Sequence, residues 1–278
     1  MNILELTLLL WVGAVAAGLV GALTGLGGGV IIVPMLTLLF KVDIHYAVGA
    51  ALVSVIATSS GAAAAYVKEG YSNVRIGMFL EVATTLGALA GAYLALVVSG
   101  ASIAIIFGFV LLGSAYLSSR SRQETTDLSP PDPLATRLRM NGTYPTAEGM
   151  QSYHPRRVPF AWAVMFVAGV LSGLLGIGSG ALKVLALDQI MRLPFKVSTT
   201  TSNFMIGVTA AASAGIYLNR GYIDPGLAMP VMLGVLIGAT WGARLLTVAR
   251  VSLLRIVFTV VIIALAVQMI IHGFTGKL

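Results

Sequence analysis

The fold of this chain depends on two glycine-rich stretches, Thr24-Gly25-Leu26-Gly27-Gly28-Gly29 and Gly176-Ile177-Gly178-Ser179-Gly180. Each stretch separates a long apolar run from a shorter one, and the shorter runs are Val30–Phe40 and Ala181–Met191. At a rise of 1.5 Å per residue, a helix of roughly 11 residues spans about 16 Å, which is half of a ~30 Å hydrocarbon core. Short apolar segments interrupted by glycine at matching places in two halves of a chain indicate a binding site near the midplane of a membrane.

The composition makes the chain a membrane protein. Hydrophobic residues make up 58% of its 278 residues and charged residues only 10%, with a mean hydropathy of +0.95. Soluble chains carry about 25% charge, so this chain has too few charges to cover a soluble globule of its size. The 32 Gly agree with this, because helices in lipid pack closely through small residues. We therefore predict an all-α polytopic membrane protein in a lipid bilayer.

Charge and composition also exclude several function classes. The net charge is +7, but the basic residues are spread thinly between apolar runs, which indicates membrane topology rather than nucleic-acid binding. The lack of Cys excludes disulfides and thiol catalysis, and the three His residues lack the spacing of metal ligands. We expect no enzyme, no metal and no cofactor. The run Leu6–Leu23 has no basic residue before it, so we expect no cleaved signal peptide.

A duplication relates the two halves of the chain. A constant shift of 151 positions carries Gly18 onto Gly169 without a gap. The same shift superposes Tyr66 on Tyr217, Gly70-Tyr71 on Gly221-Tyr222 and Phe107 on Phe258. Two halves rich in Gly and Ala match by chance at small residues, but not at aromatic residues in one register. We predict two repeats of about five helical segments each, the first two segments of each repeat forming a glycine-broken hairpin.

A polar segment, 119–159, separates an N-terminal transmembrane repeat (1–118) from a C-terminal transmembrane repeat (160–278). The segment has mixed charges, little apolar material and the prolines Pro130, Pro131, Pro133, Pro145 and Pro155. A segment of this composition buries too little apolar surface to form a core. We therefore predict a flexible linker, and we place it in the cytoplasm.

The distribution of Lys and Arg predicts how the repeats are oriented, because cytoplasmic loops collect basic residues. If each repeat crosses the membrane an odd number of times, the repeats are inverted and most basic residues lie on the linker's side. Only Lys41, Arg220 and Lys277 then lie outside. An even number of crossings distributes the basic residues more evenly. We predict inverted repeats with both termini facing the exterior, in a multi-pass protein of the plasma (inner) membrane.

The glycine turns are also candidate binding elements. Glycine lets the backbone approach a ligand without a Cβ atom in the way, and helices that begin at Val30 and Ala181 direct free N–H groups and partial positive charge towards it. This arrangement favours anions. The candidate binding residues in the turns are Gly25, Gly27, Gly28, Gly29, Gly176, Gly178, Ser179 and Gly180. The alternative is that the glycines only permit tight helix packing.

Polar residues inside apolar runs are the other candidates. Lys183 places an ammonium group in the second short segment. Burying a charge there costs free energy, so Lys183 is a candidate functional residue. The alternatives are a structural pair with Asp188 or a side chain that reaches the membrane interface. Ser202 and Asn203 can donate hydrogen bonds to an oxyanion, or else serve helix capping and interhelical bonds. Glu81 is either a proton site or the structural partner of an Arg. Asp188 is the second candidate for proton coupling.

The glycine pattern resembles that of a known family. Gly18-x2-Gly21-x3-Gly25-Leu26-Gly27-Gly28-Gly29-x4-Pro34, with its second copy Gly169-x6-Gly176-Ile177-Gly178-Ser179-Gly180, is similar to the pattern of the sulfite exporter TauE/SafE family of membrane permeases. In the second copy Ser179 replaces a glycine, and Leu185 stands where the first copy has Pro34. The resemblance covers the chain outside the linker. It implies transport, in many members export, of sulfur-containing anions such as sulfite, sulfoacetate or other organosulfonates.

Together these features predict a secondary transporter that exports a small sulfur-containing anion by alternating access around a midplane site. The sequence has no ATP-binding motif, so the energy would come from a proton gradient or from the membrane potential, which is worth about 2.3 kcal/mol per charge per 100 mV. An anion-selective channel of the same architecture is the alternative, and an intramembrane enzyme or an assembly subunit is a third class. The identity of the anion, the coupling ion and a homo-oligomeric assembly stay open.

Overall fold

A computed structural model describes residues 3–24, 28–68, 72–119, 132–146, 149–245 and 251–276. The described residues are mainly helical. Three helical segments are long and apolar enough to cross a membrane, namely Val74–Ala95, Val158–Leu175 and Pro225–Gly242, and the other apolar helical stretches in the described part of the chain have 10–17 residues. The prediction of a helical membrane protein is confirmed.

Eleven helices and two strands can be given bounds in the described residues. The first half contains α1 (Ile3–Thr24), α2 (Gly29–Pro34), a first π-helical turn (Met35–Leu39), α3 (Ile44–Lys68), α4 (Val74–Ala95) and α5 (Gly100–Ser119). The linker contains α6 (Pro133–Arg137), β1 (Gly142–Thr146) and β2 (Gly149–Tyr153). The second half contains α7 (Val158–Leu175), α8 (Gly180–Leu185), a second π-helical turn (Ala186–Ile190), α9 (Phe195–Asn219), α10 (Pro225–Leu245) and α11 (Val251–Thr275).

The sequence repeat is also visible in the boundaries of the helices. The shift of 151 positions carries the first residues of α2, α3, α4 and α5 onto those of α8, α9, α10 and α11. Each short helix continues into a π-helical turn, and a basic residue with positive φ follows each turn, Lys41 at 53° and Arg192 at 58°. The two short segments therefore begin at Gly29 and Gly180, one residue before the predicted starts.

The two halves pack against each other reciprocally. Helix α1 packs against α10, and its counterpart α7 packs against α4; α3 packs against α9, and α5 against α11. Glycines lie at these contacts. A Cβ atom on Gly18 would collide with the backbone of Val235, and one on Gly169 would collide with the backbone of Thr84. These two contacts are related by the repeat, so the repeated glycines let helices of opposite halves approach closely.

The described part of the linker is folded, which corrects the prediction that the segment 119–159 buries no core. Strands β1 and β2 form an antiparallel hairpin. Met140, Tyr144 and Tyr153 are buried in one hydrophobic cluster with Leu187 and Met191, which lie at the end of the second short segment. A few apolar side chains of the linker are enough for this core, because they pack against residues of the helical segments as well as against one another.

Asn73 connects the folded linker to the helices through hydrogen bonds. Its side chain accepts a hydrogen bond from the N–H of Ile76 at 3.1 Å and so caps α4. The same side chain donates to the carbonyl of Met140 at 2.9 Å and to the hydroxyl of Tyr153 at 2.8 Å. Burial raises the pKa of the Tyr153 hydroxyl, and the bond from Asn73 opposes this shift. The backbone N–H of Asn73 donates to Thr201 of α9 at 3.0 Å, so the linker, α4 and α9 meet at this residue.

Candidate functional site

The two glycine turns lie against each other in the interior. A Cβ atom on Gly29 would lie 2.7 Å from the carbonyl oxygen of Gly176 and 2.9 Å from Cγ2 of Val55. A Cβ atom on Gly178 would lie 2.8 Å from the side chain of Ile206 and 2.9 Å from that of Val55. Val55 is on α3 and Ile206 is on α9, so the turns meet beside these two helices, which pack against each other. A larger residue in place of Gly29 or Gly178 would displace these neighbouring atoms.

The second turn has a left-handed backbone over three of its residues. Gly176, Gly178 and Ser179 have φ values of 70°, 68° and 51°. Ser179 is 1% exposed, and its hydroxyl has no hydrogen-bond partner among the residues that the structure describes. The hydroxyl of Ser202 donates to the carbonyl of Gly180 at 3.3 Å. The turn is therefore fixed to α9 and carries one buried hydroxyl that a ligand could satisfy.

The first turn is described from Gly28 onwards. Gly28 has a right-handed helical backbone, and its carbonyl accepts hydrogen bonds from the N–H groups of Ile31 and Ile32, both at 3.1 Å. The candidate residues Gly25 and Gly27 lie outside the described residues. At the matching position Ser179 is left-handed, so the two turns enter their short helices differently.

Lys183 is fully buried and pairs with Glu81 of α4. Its Nζ atom lies 3.5 Å from Oε2 of Glu81, with side-chain exposures of 0% and 7%. Nζ also donates a hydrogen bond to Oγ1 of Thr209 at 2.5 Å, and this hydroxyl donates in turn to Oε1 of Glu81 at 2.5 Å. The cation that pairs with Glu81 is thus Lys183 rather than an Arg. The hydroxyl of Thr209 connects the two charges.

Two further threonines complete the hydrogen bonding of the carboxylate. The hydroxyl of Thr84 donates to Oε2 of Glu81 at 2.9 Å, and that of Thr85 donates to Oε1 at 3.4 Å. We call Glu81, Thr84, Lys183 and Thr209 the Lys183 cluster. It joins α4, α8 and α9. Two opposite charges are tolerated at such a depth because they are paired and their remaining hydrogen-bonding capacity is used.

The remaining predicted residues lie around this centre in different roles. Asn203 is buried in α9, and its backbone carbonyl accepts a hydrogen bond from the hydroxyl of Ser59 at 2.6 Å. That hydroxyl also accepts the N–H of Gly207 at 3.0 Å, which connects α3 to α9. Asp188 lies on the second π-helical turn and accepts a hydrogen bond from the side chain of Gln189 at 2.7 Å.

Sequence analysis did not single out Thr84 and Thr209. Thr84 lies three residues after Glu81 on one helix, a spacing at which side chains meet, so its contact was open to prediction. Thr209 is separated from Glu81 by 128 positions, and no sequence pattern indicates this contact. The structure also leaves some buried hydroxyls without a partner within its described residues, including Ser172, Ser179, Ser198 and Thr199. Within the same residues, no three His, Asp or Glu side chains form a group that could hold a metal ion.

Comparisons with known proteins agree with the glycine pattern. The model of the family Sulfite exporter TauE/SafE matches residues 10–269. One similar protein is the probable membrane transporter protein YunE of Bacillus subtilis (strain 168), 27% identical over 265 residues that cover 92% of this chain and 94% of that protein. Another is a probable membrane transporter protein of Xylella fastidiosa (strain 9a5c), 28% identical over 261 residues that cover 92% of each chain. No solved structure matches the chain significantly. The chain therefore belongs to the sulfite exporter TauE/SafE family and is a multi-pass membrane protein.

Proposed function

We propose that this protein is a secondary transporter that exports a small sulfur-containing anion, such as sulfite or an organosulfonate, from the cell across the plasma membrane. Its family and the names of its relatives support membrane transport. The observation that carries the proposal is the contact between Gly29 and Gly176, because it joins the broken segments of both halves in the interior. Transporters bind their substrates where such broken helices of two repeats meet.

The binding site would combine backbone N–H groups of the glycine turns with side chains of α8 and α9. The hydroxyl of Ser179, which has no hydrogen-bond partner among the described residues, supports this assignment, since a dehydrated oxyanion requires hydrogen-bond donors. Lys183 would supply positive charge, and Ser202 and Asn203 would line the site on α9. We expect the anion to contact these groups directly.

The two halves would act as inverted repeats that rock against each other and expose the site to either side in turn. The reciprocal packing of α1 on α10 and of α7 on α4 supports two equivalent units. Their opposite orientation can be tested with single introduced cysteines, since the chain has no Cys. A membrane-impermeant thiol reagent should label a cysteine at position 41 from outside but not one at position 250. The reverse result would contradict inverted repeats with a cytoplasmic linker.

Transport by the purified protein in lipid vesicles tests the function. The panel is sulfite, sulfoacetate and methanesulfonate, with acetate as the control anion, each with and without an imposed potential. We expect saturable uptake and counterflow of the sulfur anions, abolished by Lys183→Ala and retained by Lys41→Ala, whose lysine is exposed. Conduction without counterflow would indicate the anion-selective channel instead. Equal transport by both variants would remove Lys183 from the site.

A further inference from the structure

The Lys183 cluster is electrically neutral before any anion binds. Lys183 contributes one positive charge, Glu81 contributes one negative charge, and the atoms of the pair are 3.5 Å apart and buried. An anion that binds to Lys183 therefore competes with the Glu81 carboxylate, which already pairs with the ammonium group. The charge balance of the site depends on what happens to Glu81 when the anion arrives.

The helices around Glu81 supply little other charge. Helix α4 packs against α7 and α9. Helix α7 has no ionisable residue. Helix α9 carries Lys196 near its start and Tyr217, whose hydroxyl donates to the carbonyl of Gly173. On α4 itself, Arg75 donates to the carbonyl of Arg139, and Tyr93 is exposed.

Beyond these helices, the short segment that carries Lys183 also carries Asp188 on the second π-helical turn, where its carboxylate accepts the bond from Gln189. Lys183 is the ionisable group that the structure pairs with the Glu81 carboxylate.

We propose that Glu81 and the transported anion compete for Lys183, so that each monovalent anion crosses the membrane together with one proton bound to Glu81. This inference rests on the proposed function and names the coupling of that same site. An anion that took the place of Glu81 would leave two negative charges beside one ammonium group in a medium of low polarity. A proton on Glu81 restores neutrality. It comes from water on the side to which the site is open, and it leaves with the anion on the other side.

Thr209 allows this exchange without leaving a polar group unsatisfied. In the structure its hydroxyl accepts from Lys183 and donates to Glu81. A hydroxyl both donates and accepts, whereas a protonated carboxyl group becomes a donor. In the loaded site Thr209 accepts from the protonated Glu81 and turns its own hydrogen towards the anion. One side chain thus serves both states.

The coupling has a direct consequence for energetics. With a monovalent anion the loaded site is neutral, and so is the empty site, in which Glu81 and Lys183 pair again. Neither state then carries a net charge through the membrane, where an isolated charge is expensive. The direction of transport follows the sum of the anion and proton gradients. A steep outward gradient of the anion gives export.

Methanesulfonate is a suitable probe, because it stays anionic at every pH of the assay. Vesicles contain a pH-sensitive dye, and an inward gradient of methanesulfonate is applied with or without an imposed potential. In the wild-type protein we expect acidification of the vesicle interior, faster uptake at lower pH and little response to potential. In Glu81→Gln we expect uptake without acidification and without pH dependence. The accumulation ratio of this variant should change about tenfold for 59 mV, as for one moving charge.

The control is Asp224→Asn, which changes an exposed carboxylate at the start of α10 and should keep the wild-type behaviour. The wild-type protein alone keeps the inference falsifiable even if Glu81→Gln does not fold. Uptake of methanesulfonate by the wild type without acidification, with a tenfold response to 59 mV, would overturn proton coupling and leave the transport function intact. Loss of coupling in Asp188→Asn but not in Glu81→Gln would also overturn it. If neither sulfite nor methanesulfonate moved, the proposed function would fail and the inference with it.

Discussion

The Lys183 cluster and the region that the repeat relates to it differ in chemistry but not in the order of helices. The positions that correspond to Lys183, Glu81, Thr84 and Thr209 hold Ile32, Met232, Val235 and Thr58. Ile32 and Val235 are fully buried, and the helices α2, α3 and α10 that carry these residues match α8, α9 and α4. The same order of helices therefore occurs once with an ion pair and once without charged side chains at these positions.

The fold therefore does not require the buried charges. Replacing a buried ion pair by apolar residues of similar size is often neutral or stabilising, and the region related by the repeat holds Ile32 and Met232 in place of Lys183 and Glu81. A group that is costly in lipid and unnecessary for packing indicates a role in function. Substitutions that make one of these regions resemble the other test this role.

Lys183→Met is expected to have the largest effect, because it leaves Glu81 as an uncompensated buried charge. The free energy of unfolding should fall by about 3–5 kcal/mol, and anion transport should be lost. The double variant Lys183→Met/Glu81→Gln removes both charges, and it should recover most of the stability but not the transport. Thermal unfolding in detergent and vesicle uptake measure the two effects. If Lys183→Met were as stable as the wild type, leaving Glu81 without its partner would cost no unfolding free energy, which would contradict this prediction.

Gly178→Ala should have the next largest effect, because a Cβ atom would lie 2.8 Å from Ile206 and 2.9 Å from Val55 on a left-handed backbone. Overpacking of this kind costs about 1–3 kcal/mol, and the strained φ adds to it. Gly113→Ala is the matched control, since a Cβ atom at this helical position meets no atom within 4 Å. We expect that control to gain up to about 1 kcal/mol in unfolding free energy. Equal unfolding midpoints for the two variants would contradict close packing at the turn.

Thr209→Val and Thr58→Val compare two threonines that the repeat relates. Thr209 bonds both charges of the cluster, whereas the hydroxyl of Thr58 donates to the carbonyl of Ser54 within its own helix at 2.7 Å. Hydrogen bonds to charged groups contribute about 1.5–3 kcal/mol, so Thr209→Val should lose that much unfolding free energy. Thr58→Val should change it by less than about 1 kcal/mol. Denaturant unfolding of both variants gives the answer, and similar losses would mean that Thr209 does not connect the charges.

The parts of the fold that depend on local pattern could be predicted from the sequence. The short segments follow from the length of the apolar runs, and their observed starts at Gly29 and Gly180 lie one residue from the predicted ones. The partner of Lys183 could not be predicted, because the pairing joins α4 to α8 across the two halves. Lys183 and Asp188 are five residues apart, which places them about 140° apart around an ideal helix, so spacing could only show that Asp188 was a poor partner.

The prediction that the segment 119–159 buries no core failed for a different reason. Its overall composition is polar and rich in proline, and this average hides the few side chains that dock on the helices. Tyr144 and Tyr153 become buried because the ends of the helices offer an apolar surface and because Asn73 supplies hydrogen bonds. Neither the surface nor the side chain of Asn73 is part of the segment 119–159.

Ser202→Ala should have the smallest effect and makes α9 resemble α3 at one position, because the repeat counterpart of Ser202 is the buried Ala51. The lost hydrogen bond to the carbonyl of Gly180 is worth about 1 kcal/mol of unfolding free energy. If the polar opening of α9 serves the anion, the variant should also raise the KM for methanesulfonate while the unfolding midpoint falls only slightly. Ser60→Ala removes an exposed hydroxyl that bonds within its own helix, and it is the matched control. A lower midpoint with an unchanged KM would assign Ser202 to helix packing, so this pair of measurements separates the two alternatives that the sequence left open.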